Sequence, residues 1–201
     1  MRVFLLFVFF FCSIGHAQTP KEALITQLQA TQTLSGEFTQ TTHSDVGELL
    51  QKTTGKVVLA TPGKFYWHTQ SPYVQDIVVN AGKVTLVDSE IEQVTIRTLD
   101  RRSPDQLPVL LLTGNAAQAL ADFSVKKTVE GYQLVTDEEG SIVKQLSLRF
   151  NQQGTIEYIS FVNGLNQTTD IVFHEVQANQ PVDHSLFIAH YDKSMDVVYS
   201  T

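Results

Sequence analysis

Short segments in which apolar and polar residues alternate constrain this chain most strongly. Six lie between residues 36 and 98 and five between residues 122 and 176, separated by glycine, proline and asparagine. A period of two is typical of β-strands, because neighbouring side chains point to opposite faces. The gaps are too short for helical crossovers, so the pattern predicts an antiparallel meander and argues against βαβ units. The segments are 36–43, 55–62, 64–70, 74–80, 82–88, 92–98, 122–129, 132–137, 142–150, 155–163 and 168–176.

A helix is predicted before the first strand. Thr19 can cap it, a proline suits its first position, and Glu22 completes a capping box. Leu24 and Leu28 then form an apolar stripe at helical spacing. The helix is expected to end before the Ser-Gly pair at Gly36, where the first strand begins.

A second helical region is predicted in the middle of the chain. The serine and proline at 103–104 repeat the capping pattern, and the helix that follows carries Leu107, Leu110 and Leu111. A glycine ends this helix, and Asn115 is expected to cap another short one.

Two helical regions among about 10–11 strands indicate an α+β protein that is mainly β. The tail at 185–200 can add one short strand or two. A sheet of this length curls or closes, and a curled sheet has a concave inner face on which apolar helices can bury their stripes. The sequence therefore predicts an unclosed antiparallel β half-barrel, with helices at its mouth or on its inner face.

Residues 1–17 have the pattern of a secretory signal peptide. Arg2 is followed by an apolar run, and the stretch ends in Gly-His-Ala, so cleavage is expected before Gln18, leaving 18–201 as a single domain. An N-terminal membrane anchor is the alternative, but the apolar run is short against the roughly 20 residues that a spanning helix needs. The only cysteine, Cys12, follows the bulky Phe11, which does not fit lipoprotein acylation.

Composition and motifs argue against catalysis and nucleic-acid binding. The formal net charge is −7, and a chain this acidic lacks the basic surface that nucleic acid requires. The sequence contains no HExxH, G-x-S-x-G, P-loop or G-x-G-x-x-G motif. His184 and His190 leave a metal site open, although surface or packed histidines are the favoured interpretation. We therefore expect no enzyme, no cofactor and no metal.

Hydrophobic contact remains as the chain's main chemistry. In the ring-rich stretch 64–70, Phe65 and Trp67 fall on one strand face, and Tyr66 and His68 fall on the other. The apolar face can be ordinary core or the wall of a pocket, and periodicity alone favours core. The candidate pocket residues are Phe38, Val57, Leu59, Phe65, Trp67, Ile77, Val79, Leu148 and Phe150.

Several short motifs follow one another in a distinctive order. They are Phe38-Thr39-Gln40, a glycine-to-proline strand at 55–62, Phe65 and Trp67 as F-x-W, Pro72, Ile77-Val78-Val79 with a turn at 80–82, Glu92-Gln93-Val94, and a proline–leucine segment at 104–112. This order spans essentially the whole chain after residue 17. It resembles the periplasmic outer-membrane lipoprotein carrier family of Gram-negative bacteria, the lipoprotein chaperones of the Lol pathway.

The resemblance implies an unclosed barrel with a helical lid over a hydrophobic cavity. It also implies a monomeric periplasmic chaperone that takes triacylated lipoproteins from an inner-membrane ABC-type extractor, delivers them to an outer-membrane receptor and hydrolyses nothing. Phe65 and Trp67 match the family's cavity positions. The expected lid residues are Leu24, Leu28, Leu107, Leu110 and Leu111.

One position departs from the family pattern. Many members have an arginine before the motif's proline, where it hydrogen-bonds to the lid, and this chain has Thr61 instead. A threonine hydroxyl can make one such bond but carries no charge, so the resemblance implies a weaker latch.

Three other functions remain open. A membrane-bound receptor of the same fold would need an acylated cysteine at the mature N-terminus, and none is present. A periplasmic lipid-binding or lipoprotein-sensing module would need only the cavity. A hydrolase would require His68 or His174 to be essential.

Overall fold

The computed structural model describes residues 18–100, 107–136, 141 and 143–200. The predicted signal peptide at 1–17 and the predicted helix cap at 103–106 lie outside the described residues. Three α-helices are present, α1 (Pro20–Gln29), α2 (Leu107–Leu112) and α3 (Ala116–Ala119), with a short 3-10 helix at His184–Phe187. The described strands are β1 (Thr33–His43), β2 (Leu49–Ala60), β3 (Lys64–Ser71), β4 (Gln75–Asn80), β5 (Lys83–Asp88), β6 (Gln93–Thr98), β7 (Ser124–Lys127), β8 (Gly131–Val135), β9 (Val143–Phe150), β10 (Ile156–Asn163), β11 (Thr168–Ala178) and β12 (Asp196–Tyr199).

All described strands belong to one sheet, in the order β12-β6-β5-β4-β3-β2-β1-β11-β10-β9-β8-β7. Sequential strands pair antiparallel, which confirms the predicted meander. The sheet has twelve strands rather than 10–11 because the tail adds β12, which pairs parallel with β6.

The first strand begins earlier than predicted. β1 starts at Thr33, so Ser35 and Gly36 lie within the strand, at an irregularity in its pairing with β11. A Cβ atom at Gly36 would lie 2.8 Å from the carbonyl oxygen of His174. The glycine therefore permits a close approach between two strands, whereas the sequence pattern placed it at a strand start.

The second strand is also longer than predicted. β2 begins at Leu49, because its pairing with β1 continues as far as His43. Gly55, predicted as the strand's start, lies in its interior, where a Cβ atom would come 1.9 Å from the carbonyl oxygen of His68. Glycine is required there by the close approach of β3 rather than by a turn.

The capping box of α1 is confirmed. The Glu22 amide donates to Thr19 Oγ1 at 3.2 Å, and the Thr19 amide donates to Glu22 Oε2 at 2.9 Å. These hydrogen bonds stabilise the carboxylate and hold the pKa of Glu22 below its ordinary value. Lys21 Nζ donates to the carbonyl of Ala121 at 2.7 Å, which ties the start of α1 to the chain that leads into β7.

The mid-chain helices are shorter than the sequence suggested. Gly114 follows α2 with φ of +90°, as expected of a residue that ends a helix. Asn115 precedes α3, but its side chain makes no capping hydrogen bond, so this predicted cap is wrong. α3 ends at Ala119, two residues before the predicted end at Ala121.

The main core lies between the inner face of the sheet and the helices. Its members include Leu24 of α1, Leu111 of α2, and Leu134 and Leu146 of the sheet, each at most 1% exposed. Burying one such side chain stabilises the fold by about 1.5–3 kcal/mol. Within the described residues, no helix has the length and apolar character needed to cross a bilayer.

Candidate functional site

A cavity of about 710 Å³ opens on the concave face of the sheet. Phe65 and Trp67 of β3 and Ile77 and Val79 of β4 form part of its apolar wall, and Val109 of α2 lines it from the helical side. These five residues come from separate stretches of the chain, and curling of the sheet beneath α2 brings them together.

The alternation predicted for β3 is confirmed. Phe65 and Trp67 are buried and face the cavity, whereas Tyr66 and His68 lie on the outer face of the sheet. There, Tyr66 Oη donates to Asp76 Oδ1 at 3.0 Å, and His68 Nδ1 lies 2.7 Å from the same oxygen. Burial, together with Asp76, raises the pKa of Tyr66 to about 12.

Stacked aromatic rings fix the orientation of Trp67. Its ring stacks on Phe38 with centroids 3.6 Å apart and lies 5.9 Å from Phe65, and Phe173 meets it edge-on at 6.5 Å. Because the Trp67 ring is held from several sides, it forms a rigid part of the cavity wall.

Five of the nine predicted pocket residues lie away from the cavity wall. Phe38, Val57, Leu59 and Leu148 are at most 1% exposed within the main core, and Phe150 packs edge-on against a tyrosine ring. The stack between Phe38 and the indole fills the space in which a pocket could extend. Only Phe65, Trp67, Ile77 and Val79 of the predicted set line the open cavity.

The sequence analysis missed the polar part of the cavity wall. Gln40 of β1, Thr53 of β2, Thr69 of β3 and Gln75 of β4 all line it. Their positions carry a detectable signal, because each has the inward parity of the apolar residues in its own strand. Attention to apolar residues alone hid this polar extension of the inner face.

The predicted lid residues belong to two different helices. Leu110 and Leu111 are buried on α2, and the side chain of Leu107 is outside the described part of the structure. Leu24 and Leu28 are buried on α1, which packs against β7 at the far side of the sheet. Of these two helices, only α2 contributes to the cavity wall.

Thr61 does not act as a latch to the lid. Its hydroxyl lies 3.2 Å from the Gln32 carbonyl oxygen and 3.1 Å from Gln32 Oε1, so it binds the segment that follows α1. The link to α2 comes from the backbone two residues later, where the Gly63 amide donates to the Thr113 carbonyl at 3.0 Å. A backbone contact therefore replaces the side-chain contact that the resemblance implied.

The histidines raised as metal or catalytic candidates lie outside the cavity. His68 contacts Asp76, and His174 Nε2 lies 3.1 Å from Thr39 Oγ1 on the outer face. His184 Nδ1 lies 3.2 Å from Lys64 Nζ. Across the described ranges, no three potential metal-ligating side chains of His, Cys, Asp or Glu form a cluster.

An unclosed half-barrel with helices over an apolar cavity defines a class of protein that shelters hydrophobic groups. Comparison of sequences identifies the family. The sequence model of the family described as "Outer membrane lipoprotein carrier protein LolA" matches residues 29–190, and the chain belongs to this family.

Relatives agree over most of the chain. An outer-membrane lipoprotein carrier protein of Pseudomonas fluorescens is 35% identical over 189 residues, covering 92% of this chain and 91% of that protein. One from Pseudomonas putida is also 35% identical, covering 92% and 89%.

Two solved structures show the same fold at low sequence identity. The crystal structure of an uncharacterised conserved protein from Thermus thermophilus matches with a TM-score of 0.58 and 11% identity, covering 90% of this chain and all of that one. The complex of MucA and MucB from Pseudomonas aeruginosa gives a TM-score of 0.51 and 10% identity, covering 86% of this chain and 62% of the matched one.

Proposed function

We propose that this protein is a periplasmic chaperone that carries lipoproteins with their acyl chains in the half-barrel cavity. The observation that supports this most directly is the apolar wall of Phe65, Trp67, Ile77 and Val79 beneath α2. Cavities of about 300–1,000 Å³ hold small ligands, and about 710 Å³ lies in the upper part of that range.

Energetics restrict how such a carrier can work. Burial of each CH₂ is worth ~0.8 kcal/mol, so a chain of about 15 methylenes gains on the order of 12 kcal/mol when fully buried. Binding of that strength would prevent release without an energy source. The carrier therefore needs a compensating cost each time cargo enters.

The lid supplies that cost. Val109 lines the cavity, and Leu111 and Leu112 on the same helix are packed into the main core. If cargo displaces α2, the contacts of these side chains with the sheet are exchanged for cargo contacts. The net free energy then becomes a small difference between two large terms, which permits both loading and release.

The proposed route has three steps. An ABC-type extractor in the inner membrane loads one triacylated lipoprotein onto a monomer, the carrier crosses the periplasm, and an outer-membrane receptor accepts the cargo. Export through the proposed signal peptide at 1–17 would place the protein in that compartment. The carrier catalyses no reaction in this scheme.

Mass spectrometry tests the proposal directly. The protein is purified from periplasm without detergent, after delivery has been blocked by depletion of the receptor. We expect triacylated lipoproteins bound one to one, and an Ile77→Glu variant prepared in parallel should be empty.

Other outcomes would contradict the proposal. Free lipids alone in the wild-type protein would favour a lipid-binding or sensing module. An empty protein under receptor depletion would also count against the carrier function.

A further inference from the structure

The cavity wall has two chemically different layers. The deeper layer is apolar, and the layer nearer the mouth is built from uncharged hydrogen-bonding side chains. We call the second layer the polar belt. It consists of one residue from each of five neighbouring strands, namely Thr169 of β11, Gln40 of β1, Thr53 of β2, Thr69 of β3 and Gln75 of β4.

The strand direction places the polar belt above the apolar layer. The turn that follows β3 contributes the exposed Tyr73 to the cavity, so the ends of the strands at this turn mark the mouth. Thr69 lies two residues nearer this turn than Trp67, and Gln75 lies two residues nearer it than Ile77. Side chains two residues apart on a strand share a face, so each polar residue stands directly above an apolar one.

Register makes the polar belt continuous. Gln40 is paired with Thr53 across β1 and β2, and Thr69 is paired with Gln75 across β3 and β4. Thr169 Oγ1 lies 3.1 Å from the hydroxyl of a threonine on β1. These pairings indicate one band of polar groups around the cavity rather than scattered substitutions.

Part of the polar belt's hydrogen-bonding capacity is unused. Within the described residues, the side chains of Gln40, Thr53 and Thr69 make no hydrogen bond, although both threonines are only 8% exposed. Hydroxyl and amide groups that are this enclosed normally have a partner. Because they face the cavity, a ligand can supply that partner.

The charges near the mouth restrict the chemistry of the ligand. Asp88 and Glu90 line the cavity beside the polar belt. Among the described lining residues the one cation is Arg97, which already interacts with another group. Neutral donors beside carboxylates suit neutral carbonyl oxygens and disfavour the phosphate of a phospholipid headgroup.

We infer that the polar belt binds the ester and amide carbonyls that join acyl chains to a lipoprotein's N-terminal cysteine, and so selects lipoprotein anchors against phospholipids. This inference rests on the proposed carrier function and adds a basis for its specificity. The apolar layer takes the chains, and the hydroxyl and amide groups above it donate hydrogen bonds to the carbonyls where the chains begin.

A pair of ligands separates the two layers experimentally. One is a synthetic triacylated lipopeptide, and the other is its analogue in which both ester linkages are replaced by ethers. The test variant is Thr53→Val with Thr69→Val, which replaces each hydroxyl with a methyl group of similar size. The matched control is Thr54→Val, which changes β2 at a position that does not line the cavity.

We expect the double variant to bind the ester ligand about tenfold more weakly, as the loss of two hydrogen bonds predicts. Its affinity for the ether ligand should change less than about twofold, because that ligand has no ester carbonyls for the hydroxyls to bind. The control variant should match the wild type for both ligands. Gln40→Leu provides a second test and should show the same preference for loss of the ester ligand.

The outcomes separate this inference from the carrier function. Equal losses for both ligands, or no loss for either, would overturn the role of the polar belt while lipopeptide binding by the wild type still supported the carrier. Failure of the wild type to bind either ligand would contradict the carrier function itself, and the inference with it.

Discussion

Two parts of the same sheet have similar sequence patterns and different surroundings. In the covered half, β7–β9 at residues 124–150, inward side chains such as Leu134 and Leu146 are fully buried in the main core. In the open half, β3–β5 at residues 64–88, inward side chains such as Ile77 and Leu86 are half-buried and line the cavity. Alternation therefore marks the inner face but does not show which part of that face a helix covers.

Coverage by α1 accounts for part of the difference. The helix packs on β7, Tyr132 Oη donates to Gln27 Oε1 at 3.4 Å, and Leu24 and Leu28 are buried beneath it. Above the open half, α2 leaves the cavity unfilled. The covered half thus contributes stability, and we expect the open half to contribute binding.

The largest expected effect is a difference in stability between matched leucines. Leu146→Ala in the covered half should lower the free energy of unfolding by about 2–5 kcal/mol, because it leaves a cavity in a packed core. Leu86→Ala in the open half should cost only about 1 kcal/mol, since that side chain already borders open space. Urea unfolding of both variants measures the difference, and similar losses would contradict the comparison.

A charge on the cavity wall should abolish binding while the fold is retained. Ile77→Glu places a carboxylate among apolar side chains, and we expect lipopeptide affinity to fall by about 100-fold or more, because cargo would have to bury that charge. Ile77→Gln is the uncharged control and should lose less. Fluorescence binding with a labelled lipopeptide gives the affinities, and full binding by the charged variant would exclude Ile77 from the cargo path.

Weakening the lid should favour cargo. Leu110 is buried on α2, so Leu110→Ala removes contacts that exist only while the lid is closed. We expect cargo affinity to rise roughly tenfold, because the closed state loses more free energy than the loaded state. Hydrogen exchange should also be faster at the α2 amides, with the α1 amides as an internal control. Unchanged affinity with unchanged exchange would contradict the lid mechanism.

The smallest expected effect concerns the position that departs from the family arginine. Thr61→Val removes the hydroxyl contacts with Gln32, which are partly exposed, so the free energy of unfolding should fall by about 0.5–1 kcal/mol. Cargo affinity should be unchanged, because the α2 contact is made by the Gly63 backbone. A large change in affinity would show that Thr61 does control the lid.

Sequence reasoning identified the site only in part. It placed Phe65, Trp67, Ile77 and Val79 correctly on the inner face of their strands, and these residues line the cavity. It grouped Val57 with them, although that residue lies in the packed core. Both kinds of residue share one strand parity, so no local signal distinguishes them.

Local chemistry determined the features that the sequence alone could establish. The capping box of Thr19 and Glu22 depends on residues three apart, and the alternation of β3 depends on the geometry of a single strand. Antiparallel pairing followed from short gaps between strands. Family membership followed from the order of motifs along the whole chain.

Only the tertiary structure decided the rest. The parallel pairing of β12 with β6, the contact of Thr61 with Gln32 and the alignment of the polar belt across five strands all join residues that are distant in sequence. Which part of the inner face remains open depends on where α1 and α2 settle on a curled sheet. That choice depends on packing between distant segments, and a periodic pattern within one segment carries no information about it.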